Sequence, residues 1–173
     1  KFLNMWEKLY SISRESLKHL DKYLVEVDPK IPRFFLQTYL KSFDSQSTLM
    51  LYFPYNTIPE NKREEYRNKI NWISWHKDFS CLTTLVRAKH FTTDGLEYKA
   101  NNGLIIKDRY GVEHDCTYEE DEAAMQIGDA LYILSAGHLM STPHAVRTNN
   151  VPDNVMRTTF VSFMDPRPEQ IIK

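Results

Sequence analysis

Three residues from two distant parts of the sequence have the types and spacing from which a metal site can be built: His76, Asp78 and His144. Successive side chains of a strand point to opposite faces, so residues two apart share one. That reading sets the His76 imidazole beside the Asp78 carboxylate, with Lys77 between them turned away. A further histidine from a distant strand would complete a set of two histidines and one carboxylate on one side of a metal ion. A closed set of four ligands would suit structural zinc. The open set suits a non-haem Fe(II) ion, whose free positions admit a co-substrate and O2. Alone, His-x-Asp is equally the pattern of a surface histidine beside an acid.

Thirteen residues after His144 comes Arg157, with Thr159 two further on. The same spacing of two places both on one strand face. A guanidinium offers a bidentate fork to a carboxylate, and a neighbouring hydroxyl adds a hydrogen bond. The pair suits the distal end of a dicarboxylate, or a structural ion pair. Apolar neighbours Phe160, Val161 and Phe163 argue against a purely solvated arginine. His19, His90, His114 and His138 read as surface or turn residues. Cys81 reads as a small buried side chain, Trp75 as packing on the face away from His76, Arg147 as outward-pointing, Asp129 as a turn former, and Leu131 and Ile133 as core.

These side chains need a scaffold. The chain opens with an apolar stripe (Met5, Trp6, Leu9, Leu17, Leu20, Leu24) at three- and four-residue steps, which predicts a helix stopped by Asp28-Pro29. A second helix is expected over Arg33 to Lys41, then a turn at Phe43-Asp44-Ser45. From Thr48 the pattern becomes short β-forming runs: Leu49 to Phe53, Trp72 to His76, Leu82 to Val86, Leu104 to Lys107, Ala124 to Ile127, Ala130 to Leu134, His144 to Arg147 and Arg157 to Phe163. Gly128-Asp129 reads as a turn between two of them. Many short strands punctuated by turns predict a sandwich, jelly roll or barrel. The organisation is therefore a helical segment, 1–47, followed by an all-β body, 48–173.

Composition excludes several classes. The 173 residues carry 22 basic and 23 acidic side chains, a net charge of −1, so no basic face points to nucleic acid. Asn61-Lys62-Arg63-Glu64-Glu65 and Glu119-Glu120-Asp121-Glu122 read as solvated segments. Two cysteines, Cys81 and Cys116, do not make a disulfide framework. No apolar run is long enough to span a membrane. A cytoplasmic protein acting on a small molecule is expected. Neither the substrate nor the oligomeric state is encoded in a recognisable motif.

Several segments, taken in order, resemble one family. His76-Lys77-Asp78-Phe79-Ser80-Cys81-Leu82-Thr83-Thr84-Leu85 is similar to the first iron-ligand strand of the isopenicillin N synthase-like 2-oxoglutarate- and Fe(II)-dependent oxygenases. Asn102-Gly103-Leu104-Ile105-Ile106 resembles the glycine-leucine strand that follows there. Gln126 to Gly137 resembles the stretch before the second histidine, Ser141-Thr142-Pro143-His144-Ala145-Val146 the second-histidine segment, and Arg157-Thr158-Thr159 the arginine-x-serine motif. The resemblance runs from about Leu49 to Pro166. It implies a double-stranded β-helix (jelly roll) preceded by helices. Iron would be held by His76, Asp78 and His144, and 2-oxoglutarate by Arg157 and Thr159. The implied reaction couples 2-oxoglutarate decarboxylation, giving succinate and CO2, to O2-dependent oxidation of a substrate, as in a hydroxylase.

There are departures. Thr159 replaces the usual serine and keeps its hydroxyl. The His144–Arg157 connection is long, with Asn149, Asn150, Pro152 and Asp153 suggesting an inserted turn, and extra residues lie between Val86 and Gly103. Leu51 and Phe53 fall where the family often carries an Asn and a Tyr that contact 2-oxoglutarate, leaving Tyr52 as the polar candidate. That difference keeps open an Fe(II) oxidase that uses no 2-oxoglutarate, like isopenicillin N synthase itself. A non-catalytic jelly-roll module is the third reading, and the intact ligand set argues against it. The family carries a region before these helices, and the chain opens at Lys1, so a fragment of a longer protein is expected.

Overall fold

The computed structural model describes residues 2–41, 44–67, 71–101, 103–148 and 151–167. Helix α1 (Phe2–Val27) buries Leu9, Ser13, Leu17, Asp21 and Leu24 on one stripe. Two of these are polar, and both are satisfied. Ser13 donates to the Leu9 carbonyl or meets the Thr84 hydroxyl. Asp21 accepts the backbone N–H groups of Leu36 (2.7 Å) and Gln37 (3.1 Å) and the Gln37 amide (2.9 Å), which fastens the short helix α2 (Phe35–Tyr39) across α1. The expected second helix is present but shorter than 33–41.

The body is two antiparallel sheets. The larger contains β1 (Asp44–Tyr52), β3 (Leu82–Val86), β4 (Lys89–Thr92), β5 (Glu97–Tyr98), β8 (Ala123–Ile127) and β10 (Val155–Asp165). Its order is β5-β4-β10-β3-β8, with β1 along β10. The smaller runs β2 (Asn71–His76), β9 (His144–Arg147), β6 (Leu104–Lys107) and β7 (Glu113–Asp115). With the N-terminal helices this is the expected jelly roll. One face of the large sheet meets the small sheet, where Leu85, Leu104 and Val161 pack together. The other is covered by helices, where Leu17, Leu24, Leu36 and Leu40 pack with Leu82, Leu131 and Met164. Each such buried leucine contributes roughly 1.5–3 kcal/mol over an exposed one. β10 serves both faces by alternation: Arg157, Thr159, Val161 and Phe163 line the interior, while Met164 packs under the helices.

Three sequence expectations change. Asp44 and Ser45 do not turn; they open β1, because Asp44 through Tyr52 pair in unbroken register with Asp165 through Arg157. Residues 130–134 are not a strand but lie in helix α4 (Asp129–Leu134). Ile133 accordingly faces solvent, 54% exposed, whereas Leu131 is in the core. Asn61 to Glu65 are solvated as expected, on helix α3 (Glu60–Arg67). Strands β4, β5 and β7 add to the expected set; they are short, β4 and β5 partly exposed and β7 fully so, and they carry little hydrophobic pattern. Phe43, Asn102, Asn149 and Asn150, on which some of the expectations fall, lie outside the described residues.

Candidate metal centre

His76 ends β2 and His144 opens β9. The two strands pair with these residues in register, which brings the imidazole rings to 4.2 Å between centroids. Asp78 is not on their strand, contrary to the expectation of a shared strand face. β2 ends at His76, and Asp78 sits in the loop that leads to β3. The loop still delivers the carboxylate, with Oδ1 3.7 Å from Nε2 of both His76 and His144. The three candidate ligand atoms lie within 4.8 Å of one another, the one such group among the described residues.

Each ligand atom is aimed by the group behind it. His76 Nδ1 lies 2.9 Å from the Ser74 carbonyl and His144 Nδ1 3.1 Å from that of Thr142. A carbonyl only accepts, so Nδ1 carries the proton in both rings and the lone pair is on Nε2, toward Asp78. Burial holds the His144 pKa below its ordinary value, which favours the neutral, ligating form. Thr83 donates to Asp78 Oδ2 at 2.6 Å, leaving Oδ1 to face the histidines. The donor set thus fits a divalent ion with a preference for nitrogen and oxygen, bound on one side only.

Helix α4 holds the Asp78 loop from below. The backbone N–H groups of Gly128, Asp129 and Ala130 donate to the carbonyls of Cys81 (3.0 Å), Asp78 (2.8 Å) and Phe79 (3.3 Å). The approach is so close that a Cβ at Gly128 would collide with the Ser80 carbonyl and sit 2.9 Å from that of Asp78. Asp129 therefore opens helix α4, with Gly128 as its extended N-cap, where a turn was expected.

The three ligand candidates open onto a cavity between the sheets, with about 400 Å³ of empty space including its mouth. Arg157 lines it, 1% exposed, with its guanidinium carbon 4.7 Å from the centre of the Tyr52 ring. Burial lowers the guanidinium pKa and raises that of the Tyr52 phenol. Thr159 lines it too, though its hydroxyl donates to the Val86 carbonyl at 2.8 Å. The β1 alternation resolves the Leu51 and Phe53 departure. Those side chains are 47% and 67% exposed on the outer face, while Met50 and Tyr52 face the cavity. Gln126 is a wall residue that sequence reasoning did not single out. It is 6% exposed, and its side-chain oxygen has no hydrogen-bond partner among the described residues. A polar residue at an inward strand position was the available signal, for Gln126 and for Thr83.

The remaining candidates lie elsewhere. His19 is exposed on α1, His114 pairs with Asp108 at 3.0 Å and His138 with Asp28 at 3.8 Å. Arg147 points outward to Glu113 at 3.1 Å, and Trp75 carries the Lys107 ammonium over its ring at 4.2 Å. Cys81 is fully buried, and burial pushes its thiol up to about 12, which makes it unreactive. His90 is not a surface residue; it is buried beside Trp72.

Comparison with known proteins bears on the family and the fold. Residues 45–166 match the model of the 2OG-Fe(II) oxygenase superfamily. The sequence has no match among curated proteins. Among solved structures the chain is similar to a full-length Neurospora crassa protein in complex with 2-oxoglutarate, at 18% identity and a TM-score of 0.70, over 98% of this chain and 50% of that one. It is similar to a Shewanella oneidensis protein assigned as an oxygenase, at 21% identity and a TM-score of 0.74, over 99% and 58%. It is also similar to the Arabidopsis thaliana dioxygenase for auxin oxidation in its 2-oxoglutarate complex, at 20% identity and a TM-score of 0.59, over 79% and 43%. At these identities the likeness is one of fold. The chain spans about half the length of these relatives.

Proposed function

The chain belongs to the 2OG-Fe(II) oxygenase superfamily, and from that premise we propose that it is a 2-oxoglutarate-dependent dioxygenase, acting as a hydroxylase on a small molecule, with iron held by His76, Asp78 and His144. The observation that carries the reading is the convergence of two imidazole Nε2 atoms and one carboxylate oxygen on the cavity that Arg157 also lines. Iron held there would supply the activation of O2, coupled to decarboxylation of 2-oxoglutarate to succinate and CO2. The protein's part is placement. The two backbone carbonyls fix the ring tautomers, and His76, Asp78 and His144 would hold the ion beside a cavity whose remaining lining is largely apolar.

Arg157, with Tyr52 over its face and Thr159 next but one on the strand, is the proposed partner of the distal 2-oxoglutarate carboxylate. Its charge is buried, so a carboxylate gains more there than at a surface site. The outward orientation of Leu51 and Phe53 removes the main argument for an oxidase that dispenses with 2-oxoglutarate. The Neurospora crassa protein has also been solved with thymine and with 5-formyluracil, and a small-molecule substrate is proposed here as well. The same reading treats the helices up to Tyr39 as a support for the oxygenase body, which begins with β1 at Asp44 and not at residue 48, in a cytoplasmic protein. No described helix is long and apolar enough to cross a membrane, and neither Cys81 nor Cys116 is in a disulfide.

An anaerobic titration tests the proposal. Addition of Fe(II) and then 2-oxoglutarate should give the visible metal-to-ligand charge-transfer band that arises when the keto acid chelates iron. The band should be absent from His144→Ala. Iron binding without a band would overturn the co-substrate assignment, and absence of iron binding would overturn the site.

A further inference from the structure

Asp78 is the one ligand candidate that no strand holds. Register fixes His76 and His144, whereas a carboxylate on a loop can turn, and its two oxygens are equivalent donors. The structure removes that equivalence. Thr83, on β3, gives its hydroxyl proton to Asp78 Oδ2 at 2.6 Å. That hydroxyl has a single proton, so the 2.8 Å contact between Thr83 Oγ1 and Ser80 Oγ has Ser80 as its donor. Both residues are buried, Ser80 3% and Thr83 2% exposed, so water cannot compete for these bonds.

We propose that Ser80 and Thr83 form a hydroxyl relay that makes Asp78 a one-oxygen ligand, with Oδ2 occupied by the Thr83 proton and Oδ1 presented to the metal. The inference rests on the reading of His76, Asp78 and His144 as the iron site and adds two positioning residues to it. A carboxylate free to bind through both oxygens would take one of the positions that co-substrate and O2 need. The relay keeps the protein's contribution at three ligand atoms. Two hydrogen bonds in series in a buried setting also polarise each other, so the pair acts as a unit. Thr83 can serve because β3 turns it into the cavity, while its neighbour Thr84 contacts Ser13 of α1 at 2.8 Å on the other face.

Thr83→Val keeps the shape and removes the proton, and Thr83→Ser keeps the proton. With Co(II) alone as a spectroscopic probe, wild type and Thr83→Ser should bind equally. Thr83→Val should bind roughly 10- to 100-fold more weakly, the usual cost of losing a group that orients a ligand. Its visible Co(II) bands should change as the second carboxylate oxygen enters the coordination sphere, while the far-ultraviolet circular dichroism of the metal-free protein stays the same. Ser80→Ala, which leaves the Thr83–Asp78 bond in place, should weaken binding in the same direction by less, and it reads the relay if Thr83→Val does not fold. Thr83→Val or Ser80→Ala binding with wild-type affinity and spectrum would overturn the relay and leave the site standing. Wild type taking up no Co(II) would overturn both.

Discussion

His90 shows what burial does to a titratable side chain outside the site. It is 2% exposed, its ring centroid lies 6.3 Å from that of Trp72, and its Nε2 has no hydrogen-bond partner among the described residues. Burial, with the Arg157 charge beside it, pushes its pKa down to about 4 from 6.5. The unfolded chain therefore binds a proton more readily than the folded one. The contribution of neutral His90 is complete above pH 6.5 and is lost as pH falls toward 4. At pH 5 this amounts to about 2 kcal/mol relative to pH 8. Urea unfolding at both pH values should show that much less acid destabilisation in His90→Leu than in wild type. An identical pH dependence in the two proteins would mean that His90 titrates normally. Nothing in the sequence hints at this, because burial depends on β4 lying against β10 (His90 opposite Arg157). The meeting of His76, Asp78 and His144 was legible from spacing and motif order. The reason for it at Asp78 was not, since a loop bonded by α4 and Thr83 does what a strand face was expected to do.

At the scale of elements, α4 departs furthest from its sequence pattern and is also the part on which the ligand loop depends. Ala130 to Leu134 is an unbroken apolar run, which fits a buried strand and a short helix equally well. The helix wins through its ends. Its first N–H groups find the carbonyls of Asp78 and Phe79, and its far end closes through Ala136 and Gly137, both at positive φ, with Gly137 N–H bonded to the Tyr132 carbonyl. Neither partner is visible in a local window of sequence. The helices and strands with strong periodicity, α1, β3 and β10, were legible because local pattern and tertiary burial agree in them. Gly128→Ala tests the junction. The added methyl must push the Ser80 carbonyl aside, so stability should fall by about 1–3 kcal/mol, and Co(II) affinity should fall with it because the Asp78 loop moves. Wild-type stability and affinity in this variant would show that the loop can yield without cost.

Across the whole molecule the candidate site sits where the two sheets face each other. His76 and His144 come from the small sheet, and Asp78 is tied through Thr83 to the large one. A bound divalent ion would therefore join the sheets to each other, and the unfolded chain, with His144 far from His76 and Asp78, has no comparable three-ligand site. Preferential binding to the folded state stabilises it by RT ln(1 + [L]/Kd), about 2.7 kcal/mol at a hundredfold excess over Kd. For a chain of this size that corresponds to a rise of roughly 5–10 °C in the unfolding midpoint. Calorimetry with and without Co(II) under anaerobic conditions should show this rise in wild type as one cooperative transition, because the ion bridges both sheets. The rise should be lost in His144→Ala, whose metal-free midpoint should itself fall somewhat, since the buried imidazole also packs against His76. A rise that persists in His144→Ala would place the ion elsewhere. A transition that splits in two would mean that the sheets unfold separately and that the metal holds only one of them.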